Sequence, residues 1–304
     1  MSNINHIKSR KFGSLEFLAK QVVEGFITGL HKSPFHGFSV EFSEHKLYNK
    51  GESTKNIDWK LYARSDKLYV KRYEEETNLR CQLVIDTSAS MYFPADKNDN
   101  KLSFSIDAAA ALIYLMRGQR DAVGVSLFDN DLQLHTKPKS SVLNQRYIFA
   151  ELEKHLFTYK PVKDQSTAIV SSLHAVAETT HKRSLVVVFS DFSGVKNWEE
   201  LFGALRHLRH NKHEVVLFNV GYSKLEDDLN FENRPHTFVD MESGEQIKLN
   251  PIQVKEFYQT KVKAQKKELM NCCGNYQIDY VEADISSGFD TILMQYLVKR
   301  QKMI

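Results

Sequence analysis

Strand-length apolar runs that alternate with helical patterns constrain the fold of this chain most strongly. Four such runs are Leu83–Ile85, Val123–Phe128, Leu185–Phe189 and Val215–Val220. The segments between them, such as the alanine-rich Leu102–Gln119, repeat their apolar residues with helical spacing. Strands joined through helices form right-handed βαβ units, and their parallel sheet is buried on both faces. The sequence therefore predicts a doubly wound, mostly parallel, Rossmann-type α/β sheet.

Several shorter segments predict additions to this sheet. The turn before Leu132–His135 predicts an antiparallel edge strand, and Thr237–Leu249 predicts an excursion hairpin. Ahead of the sheet, Leu15–Ile27 has the pattern of an amphipathic helix. Phe38–Phe42 and Leu68–Tyr73 alternate with a period of two, which indicates a small β-rich subdomain. We therefore expect an N-terminal helix with that subdomain over residues 1–78, and the main α/β domain over residues 79–304.

Composition excludes several classes of protein. The 41 basic and 38 acidic residues give a net charge of +3, which does not favour binding to nucleic acid. The three cysteines are odd in number and no signal peptide is evident, so we expect a reduced, cytoplasmic protein. The longest unbroken apolar run, Ala108–Met116, is far short of the roughly 20 residues that span a bilayer. No membrane segment is therefore expected in this chain.

Oxygen-bearing side chains follow two of the apolar runs. Asp86 ends the first run and precedes the hydroxyl groups of Ser88 and Ser90, while Asp191 follows the third run. In an open parallel sheet, ligands gather at the carboxyl ends of the strands where the strand order reverses, so the two aspartates could meet there. Carboxylate and hydroxyl oxygens suit Mg²⁺, whereas zinc prefers sulfur or imidazole. The sequence predicts an Mg²⁺ site, with Mn²⁺ or Ca²⁺ as alternative ions.

The pattern Asp-x-Ser-x-Ser at a strand end resembles the metal-ion-dependent adhesion site of von Willebrand factor A-type domains. That resemblance implies a threonine and a second aspartate from two later loops, and Thr167 and Asp191 are the candidates. The predicted metal ligands are therefore Asp86, Ser88, Ser90, Thr167 and Asp191. An alternative interpretation is that the hydroxyl groups only cap helices and that the aspartates only end strands.

An ordered set of short motifs carries a second resemblance that covers most of the chain. Its members are Gly51, Ile57–Trp59, Ala63–Arg64, Val70–Lys71, Tyr73, Glu76 and the Asp-x-Ser-x-Ser-Met strand end. This set resembles the bacterial family numbered fifty-eight among domains of unknown function. The resemblance implies a von Willebrand factor A-like domain behind a β-rich piece, and association with MoxR-type AAA+ ATPases, which are thought to remodel complexes. The chain departs from the family at Ala168, where relatives often carry an aspartate.

The leading hypothesis is a non-enzymatic, Mg²⁺-dependent protein-binding module in which an Asp or Glu carboxylate of a protein partner completes the ion's coordination. A first alternative is an Mg²⁺-dependent phosphohydrolase with Asp86 as its nucleophile. That chemistry usually sets a second acid two residues later, where this chain has Ser88. A second alternative is a structural scaffold with an incidental ion. Neither a P-loop nor a G-x-G-x-x-G motif occurs, so these two nucleotide-binding devices are absent from the sequence.

Overall fold

The structure is a computed structural model of the 304-residue chain. It describes residues 14–30, 45–47, 62, 64, 68–71, 79–94, 99–157, 169–195 and 197–303. The chain divides into two compact units. Ile27–Asn78 forms the smaller unit, and Met1–Phe26 with Leu79–Ile304 forms the larger one.

The smaller unit contains a two-stranded antiparallel sheet. Strands β1 (His45–Leu47) and β2 (Tyr69–Lys71) pair with His45 opposite Lys71. This pairing agrees with the alternating, strand-like sequence pattern between residues 34 and 78. The predicted strand Phe38–Phe42 and the Ile57–Trp59 motif lie outside the described residues.

The larger unit supplies the other elements. Its strands are β3 (Arg80–Asp86), β4 (Ala122–Phe128), β5 (Leu132–His135), β6 (Leu185–Ser190), β7 (Glu214–Gly221), β8 (His236–Val239), β9 (Gln246–Leu249) and β10 (Asp279–Asp284). In the described part of the chain, the α-helices with bounds at both ends are α1 (Leu15–Leu30), α2 (Lys101–Gly118), α3 (Val142–Phe157), α4 (Ile169–Thr179), α5 (Trp198–His210), α6 (Ser223–Glu226), α7 (Pro251–Asn275) and α8 (Asp290–Met303). A 3-10 helix spans Ala89–Tyr92.

Six strands form the central sheet in the order β10-β7-β6-β3-β4-β5. Neighbouring strands are parallel except β5, which pairs antiparallel with β4 at the edge. Numbered along the chain, these strands follow the doubly wound order 3-2-1-4-5-6, which reverses between β3 and β6. The predicted sheet and its antiparallel edge strand are therefore confirmed.

Helices cover both faces of this sheet. Val84, Val186 and Val188 belong to a core cluster with apolar residues of α4, α5 and α7. Alternate side chains of a strand point to opposite faces, so Leu83 and Ile85 face the other side. The alanine-rich α2 is buried along most of its length and contacts β3, β4 and β7. Burial on both faces explains why the strands are apolar throughout rather than alternating.

Helix α1 belongs with the larger unit up to Phe26, which differs from the sequence-based division at residue 78. Its apolar stripe, which includes Leu18 and Val23, is buried. The backbone amide of Leu15 also donates a hydrogen bond of 2.7 Å to Glu153 Oε1. These long-range contacts cannot be read from the helix pattern alone, because the pattern shows an apolar face without showing what covers it.

The last strand lies further along the chain than the sequence predicts. Tyr276–Val281 is the predicted strand, whereas β10 runs from Asp279 to Asp284. The backbone continues α7 to Asn275, and Gln277 then adopts a positive φ of 55° in the turn that follows. The predicted excursion hairpin is confirmed as β8 and β9, which pair antiparallel. Among the helices of the described part of the chain, none combines the length and apolar composition that crossing a bilayer requires.

Candidate metal centre

The reversal of strand order places the ends of β3 and β6 side by side. Asp86 is the last residue of β3, and Asp191 directly follows β6. The strands are parallel, with Ile85 opposite Phe189, so both aspartates lie at the carboxyl edge of the sheet. A crevice at such a reversal is the usual ligand site of open α/β sheets.

Asp86 is fully buried and accepts hydrogen bonds on both carboxylate oxygens. Oδ1 accepts from the backbone amide of Ser88 at 2.9 Å, and Oδ2 accepts from the hydroxyl group of Ser190 at 2.6 Å. The Ser190 hydroxyl in turn accepts from the amide of Phe192 at 2.9 Å. Sequence reasoning missed Ser190. The sequence feature that could have indicated it is its position: Ser190 is a polar residue at the end of an otherwise apolar strand and directly precedes the predicted ligand Asp191.

The two predicted serine ligands connect Asp86 to Asp191. Ser88 Oγ lies 3.2 Å from Ser90 Oγ, and Ser90 Oγ donates to Asp191 Oδ1 at 3.2 Å. The 3-10 helix that begins at Ala89 turns the chain back, which brings both hydroxyl groups to one side. The structure thus brings together four of the five predicted ligands. Thr167 lies outside the described residues, just before α4 begins at Ile169.

The loop after β6 holds Asp191 through its backbone. The amide of Ser193 donates to Asp191 Oδ1 at 2.9 Å. Phe192 adopts a φ of 53°, a left-handed conformation that is uncommon for a bulky residue, and its ring is buried. Gly194 has a φ of 73°, and a Cβ atom there would overlap the Glu242 carboxylate. The loop conformation therefore depends on glycine at residue 194.

A lysine that sequence reasoning missed completes the cluster. Lys101 Nζ lies 2.5 Å from Asp191 Oδ2 and 2.7 Å from Glu226 Oε1, and its side chain is 1% exposed. Burial disfavours the charged form of Lys101, but the charges of Asp191 and Glu226 outweigh it and raise the pKa of the ammonium group. The sequence feature that could have indicated Lys101 is its position as the first residue of the alanine-rich helix α2, which is buried along most of its length.

Negative charge exceeds positive charge at this site when all its groups are ionised. The carboxylates of Asp86, Asp191 and Glu226 face one ammonium group, that of Lys101. Burial raises the pKa of Asp86 to about 7, and the charge of Asp191 acts in the same direction, while hydrogen bonds from Ser190 and Ser88 oppose the shift. Burial and, to a smaller extent, repulsion from Asp191 thus disfavour the ionised form of Asp86. A divalent cation would relieve this repulsion.

The donor set fits a hard cation. Within the described residues, no group of three or more His, Cys, Asp or Glu side chains is arranged to hold a metal ion. An ion here would be held, directly or through water, by the carboxylates of Asp86 and Asp191 together with the hydroxyl groups of Ser88 and Ser90. Mg²⁺ accepts such a set because it binds through one or two carboxylates and keeps several waters. The residues present thus fit Mg²⁺.

A cleft of about 290 Å³ opens beside the cluster and shares Asp191 and Glu226 with it. Helix α7 forms one wall, and the ends of β6, β7 and β10 with their following loops form the other. The lining of the cleft combines five carboxylates and Lys266 with apolar and aromatic side chains. The carboxylates are Asp191, Glu226, Asp227, Glu282 and Asp284, and the apolar and aromatic lining includes Phe192, Val195, Trp198, Tyr258, Val262 and Leu269.

The strand order, the antiparallel edge strand and the Asp-x-Ser-x-Ser loop at the reversal point define a von Willebrand factor A-like fold. The model of the family described as "Protein of unknown function DUF58" matches residues 44–268. The chain belongs to this family.

The chain is also similar to uncharacterised proteins of Mycobacterium bovis and Mycobacterium tuberculosis. Each is 24% identical over 207 residues, which cover 68% of this chain and 63% of the relative's length. Among solved structures, it is similar to the conserved hypothetical protein BatB from Bacteroides thetaiotaomicron, with 14% identity and a TM-score of 0.45. That alignment covers 74% of this chain and 99% of BatB.

Proposed function

We propose that this protein is a non-enzymatic, Mg²⁺-dependent protein-binding module with a metal-ion-dependent adhesion site. The observation that carries the proposal is the oxygen cluster of Asp86, Ser88, Ser90 and Asp191 at the reversal point of the sheet. Thr167, outside the described residues, is proposed as the fifth ligand. A carboxylate from a partner would occupy the remaining coordination position and form a charge-assisted contact that a neutral group cannot match.

The surroundings of Asp86 favour binding over catalysis. A phosphohydrolase would need this carboxylate to attack a phosphorus atom directly, yet it is fully buried, whereas a metal site can use the same carboxylate through an intervening water. Ser88, two residues later, cannot donate and recover a proton as a carboxylic acid does. These features support a site that holds an ion rather than one that turns over a substrate.

The cleft beside the cluster gives a partner segment room next to the ion. A carboxylate bound to the ion would bring its neighbouring residues toward Asp191 and Glu226, which both line the cleft. A cleft of this size lies near the lower end of the range of ligand pockets, so it suits an individual side chain or a short segment. The partner class that the family resemblance suggests is a MoxR-type AAA+ ATPase, and we propose that the module acts with such an ATPase in assembling or remodelling complexes.

The test compares binding of a MoxR-type ATPase from the same organism in Mg²⁺ and in EDTA. We expect binding in Mg²⁺, its loss in EDTA, and its loss in Asp86→Ala. Asp131→Ala is the control, because Asp131 lies in the turn after β4 and contacts Gln133 rather than the cluster. Binding that survives both EDTA and Asp86→Ala would refute the proposal. So would Mg²⁺-dependent hydrolysis of a generic phosphate ester that disappears in Asp86→Ala.

A further inference from the structure

The buried ammonium group of Lys101 is not explained by the proposed metal site alone. A lysine is almost never fully buried unless it is paired, because removing its charge from water is unfavourable until its partners offset that cost. Lys101 is 1% exposed and contacts two carboxylates from different parts of the chain. An oxygen site that only held Mg²⁺ would not need a second cation paired with one of its ligands.

The two oxygens of Asp191 have different partners. Oδ1 accepts from Ser90, on the side of the predicted ligands, while Oδ2 contacts Lys101 Nζ. A divalent ion bound through Asp191 would therefore share that carboxylate with the ammonium group, and the two positive charges would repel each other. Glu226, the second partner of Lys101, offers the ammonium group an alternative position. Glu226 accepts at 2.7 Å, and its side chain is 31% exposed compared with 6% for Asp191.

We propose that Lys101 is a resident cation that competes with the divalent ion for Asp191, and that Glu226 retains the ammonium group when the ion binds. This inference rests on the proposed metal site and adds a regulatory element to it. Lysine suits the role because its ammonium group is a compact charge on a flexible stem. Lys101 thus neutralises Asp191 in the metal-free protein and lowers the affinity for the ion.

The same exchange connects the ion to the partner-binding cleft. Glu226 Oε2 accepts a hydrogen bond of 2.7 Å from the amide of Tyr222, at the start of α6, and Glu226 lines the cleft. A change in how closely the ammonium group of Lys101 pairs with Glu226 would therefore change the charge at the wall of the cleft. Because linkage is reciprocal, a partner that binds there would raise the affinity for the ion by the same factor as the ion raises the affinity for the partner.

The direct test is the Mg²⁺ affinity of Lys101→Met, measured by titration calorimetry on the full chain with Mg²⁺ alone. Removing the competing charge should tighten Mg²⁺ binding by about tenfold or more. Lys101→Arg keeps the charge and should bind no more tightly than the wild type. Lys266→Met is the matched control, since Lys266 also lines the cleft and pairs with two carboxylates, Asp227 at 2.6 Å and Glu282 at 3.6 Å. Its Mg²⁺ affinity should stay within about threefold of the wild-type value.

The outcomes separate this inference from the proposed function. If Lys101→Met binds Mg²⁺ more weakly than the wild type, Lys101 positions Asp191 for the ion, and the competition is refuted. An unchanged affinity refutes it too, while the metal site stands. If neither the wild type nor Lys101→Met binds Mg²⁺, both the metal site and the inference fail.

A second measurement keeps the test valid if Lys101→Met fails to fold. Loss of the Lys101 ammonium group leaves Asp191 and Glu226 without their shared cation. The double variant Lys101→Met, Glu226→Gln removes one of these two negative charges as well, and it replaces the single variant in the titration. In the wild-type protein, the ammonium NMR signal of Lys101 should shift when Mg²⁺ is added, and that of Lys266 should not. A Lys101 signal that does not change at saturating Mg²⁺ would overturn the inference.

Discussion

Asp86 receives its hydrogen bonds from two parts of the chain, and only one of them is local. The amide of Ser88 lies two residues away, whereas the hydroxyl group of Ser190 lies 104 residues away. The local bond follows from the sharp turn that ends the strand. The distant bond exists because β3 and β6 are neighbours in the sheet. Each residue of the site thus depends on both its own loop and the strand order.

Ser190→Ala tests the distant bond. The substitution removes a buried donor to a carboxylate, and hydrogen bonds to charged groups contribute about 1.5–3 kcal/mol, so the free energy of unfolding in EDTA should fall by about 2 kcal/mol. Saturating Mg²⁺ should recover part of this loss, because the ion would stabilise the Asp86 carboxylate in place of the hydroxyl group. Chemical denaturation with and without Mg²⁺ measures both effects.

Ser126→Ala is the control for that measurement. Ser126 is equally buried on β4 and bonds Gln82 and His135, away from the aspartates. The Ser126→Ala substitution should lower the free energy of unfolding by a similar amount in Mg²⁺ and in EDTA. Equal Mg²⁺ dependence in the two variants would show that Ser190 has no particular relation to the ion.

Residue types and spacing pointed to Asp86, Ser88 and Ser90 in the sequence, and the resemblance to the adhesion site added Asp191 after the third apolar run. They were not sufficient to find Lys101 or Glu226. These two residues are separated by 125 positions, and the pair forms only after α2 and α6 meet at the sheet edge. A charged residue within an apolar helix indicates a buried partner, but the pattern does not identify that partner.

At the scale of elements, α7 combines two roles along its length. The residues of α7 that are buried lie at its first position and in its last two turns, namely Pro251, Leu269, Cys272 and Cys273. Between them the helix carries exposed lysines and forms one wall of the cleft. Periodicity predicted this helix from Pro251 onward, but the start of the following strand was placed three residues too early. The polar turn after Asn275 gave no signal of where the strand pairing begins.

A charge on the cleft wall should separate partner binding from metal binding. Val262→Arg introduces a long side chain into a cleft of about 290 Å³, so the affinity for the MoxR-type ATPase should fall by about tenfold or more. The Mg²⁺ affinity should change little, because Val262 supplies no ligand. Ala264→Arg, on the exposed side of the same helix, is the matched control. If both variants bind the partner as the wild type does, the cleft is not part of the interface.

At the scale of the whole larger unit, the strand order brings the site together. Apolar runs and helical periods predicted each strand of the sheet, and the resemblance to von Willebrand factor A-type domains implied the class of fold, while the order of the strands follows from their pairing in the structure. The grouping of α1 up to Phe26 with the larger unit was not predicted, because it depends on contacts with α3 and α2. Folding of this unit therefore places two acidic strand ends against each other, and the stability of the unit should respond to a cation.

The protein should consequently be more stable in Mg²⁺ than in EDTA. Binding only to the native state adds RT ln(1 + [Mg²⁺]/Kd) to the free energy of unfolding, about 2.7 kcal/mol when Mg²⁺ exceeds its Kd a hundredfold. Thermal melts at several Mg²⁺ concentrations should show a midpoint that rises with the logarithm of concentration above the Kd. In Asp86→Ala this dependence should disappear, because one of the two carboxylate ligands is gone. A midpoint that is the same in EDTA and in millimolar Mg²⁺ for the wild type would mean that the oxygen cluster does not bind the ion.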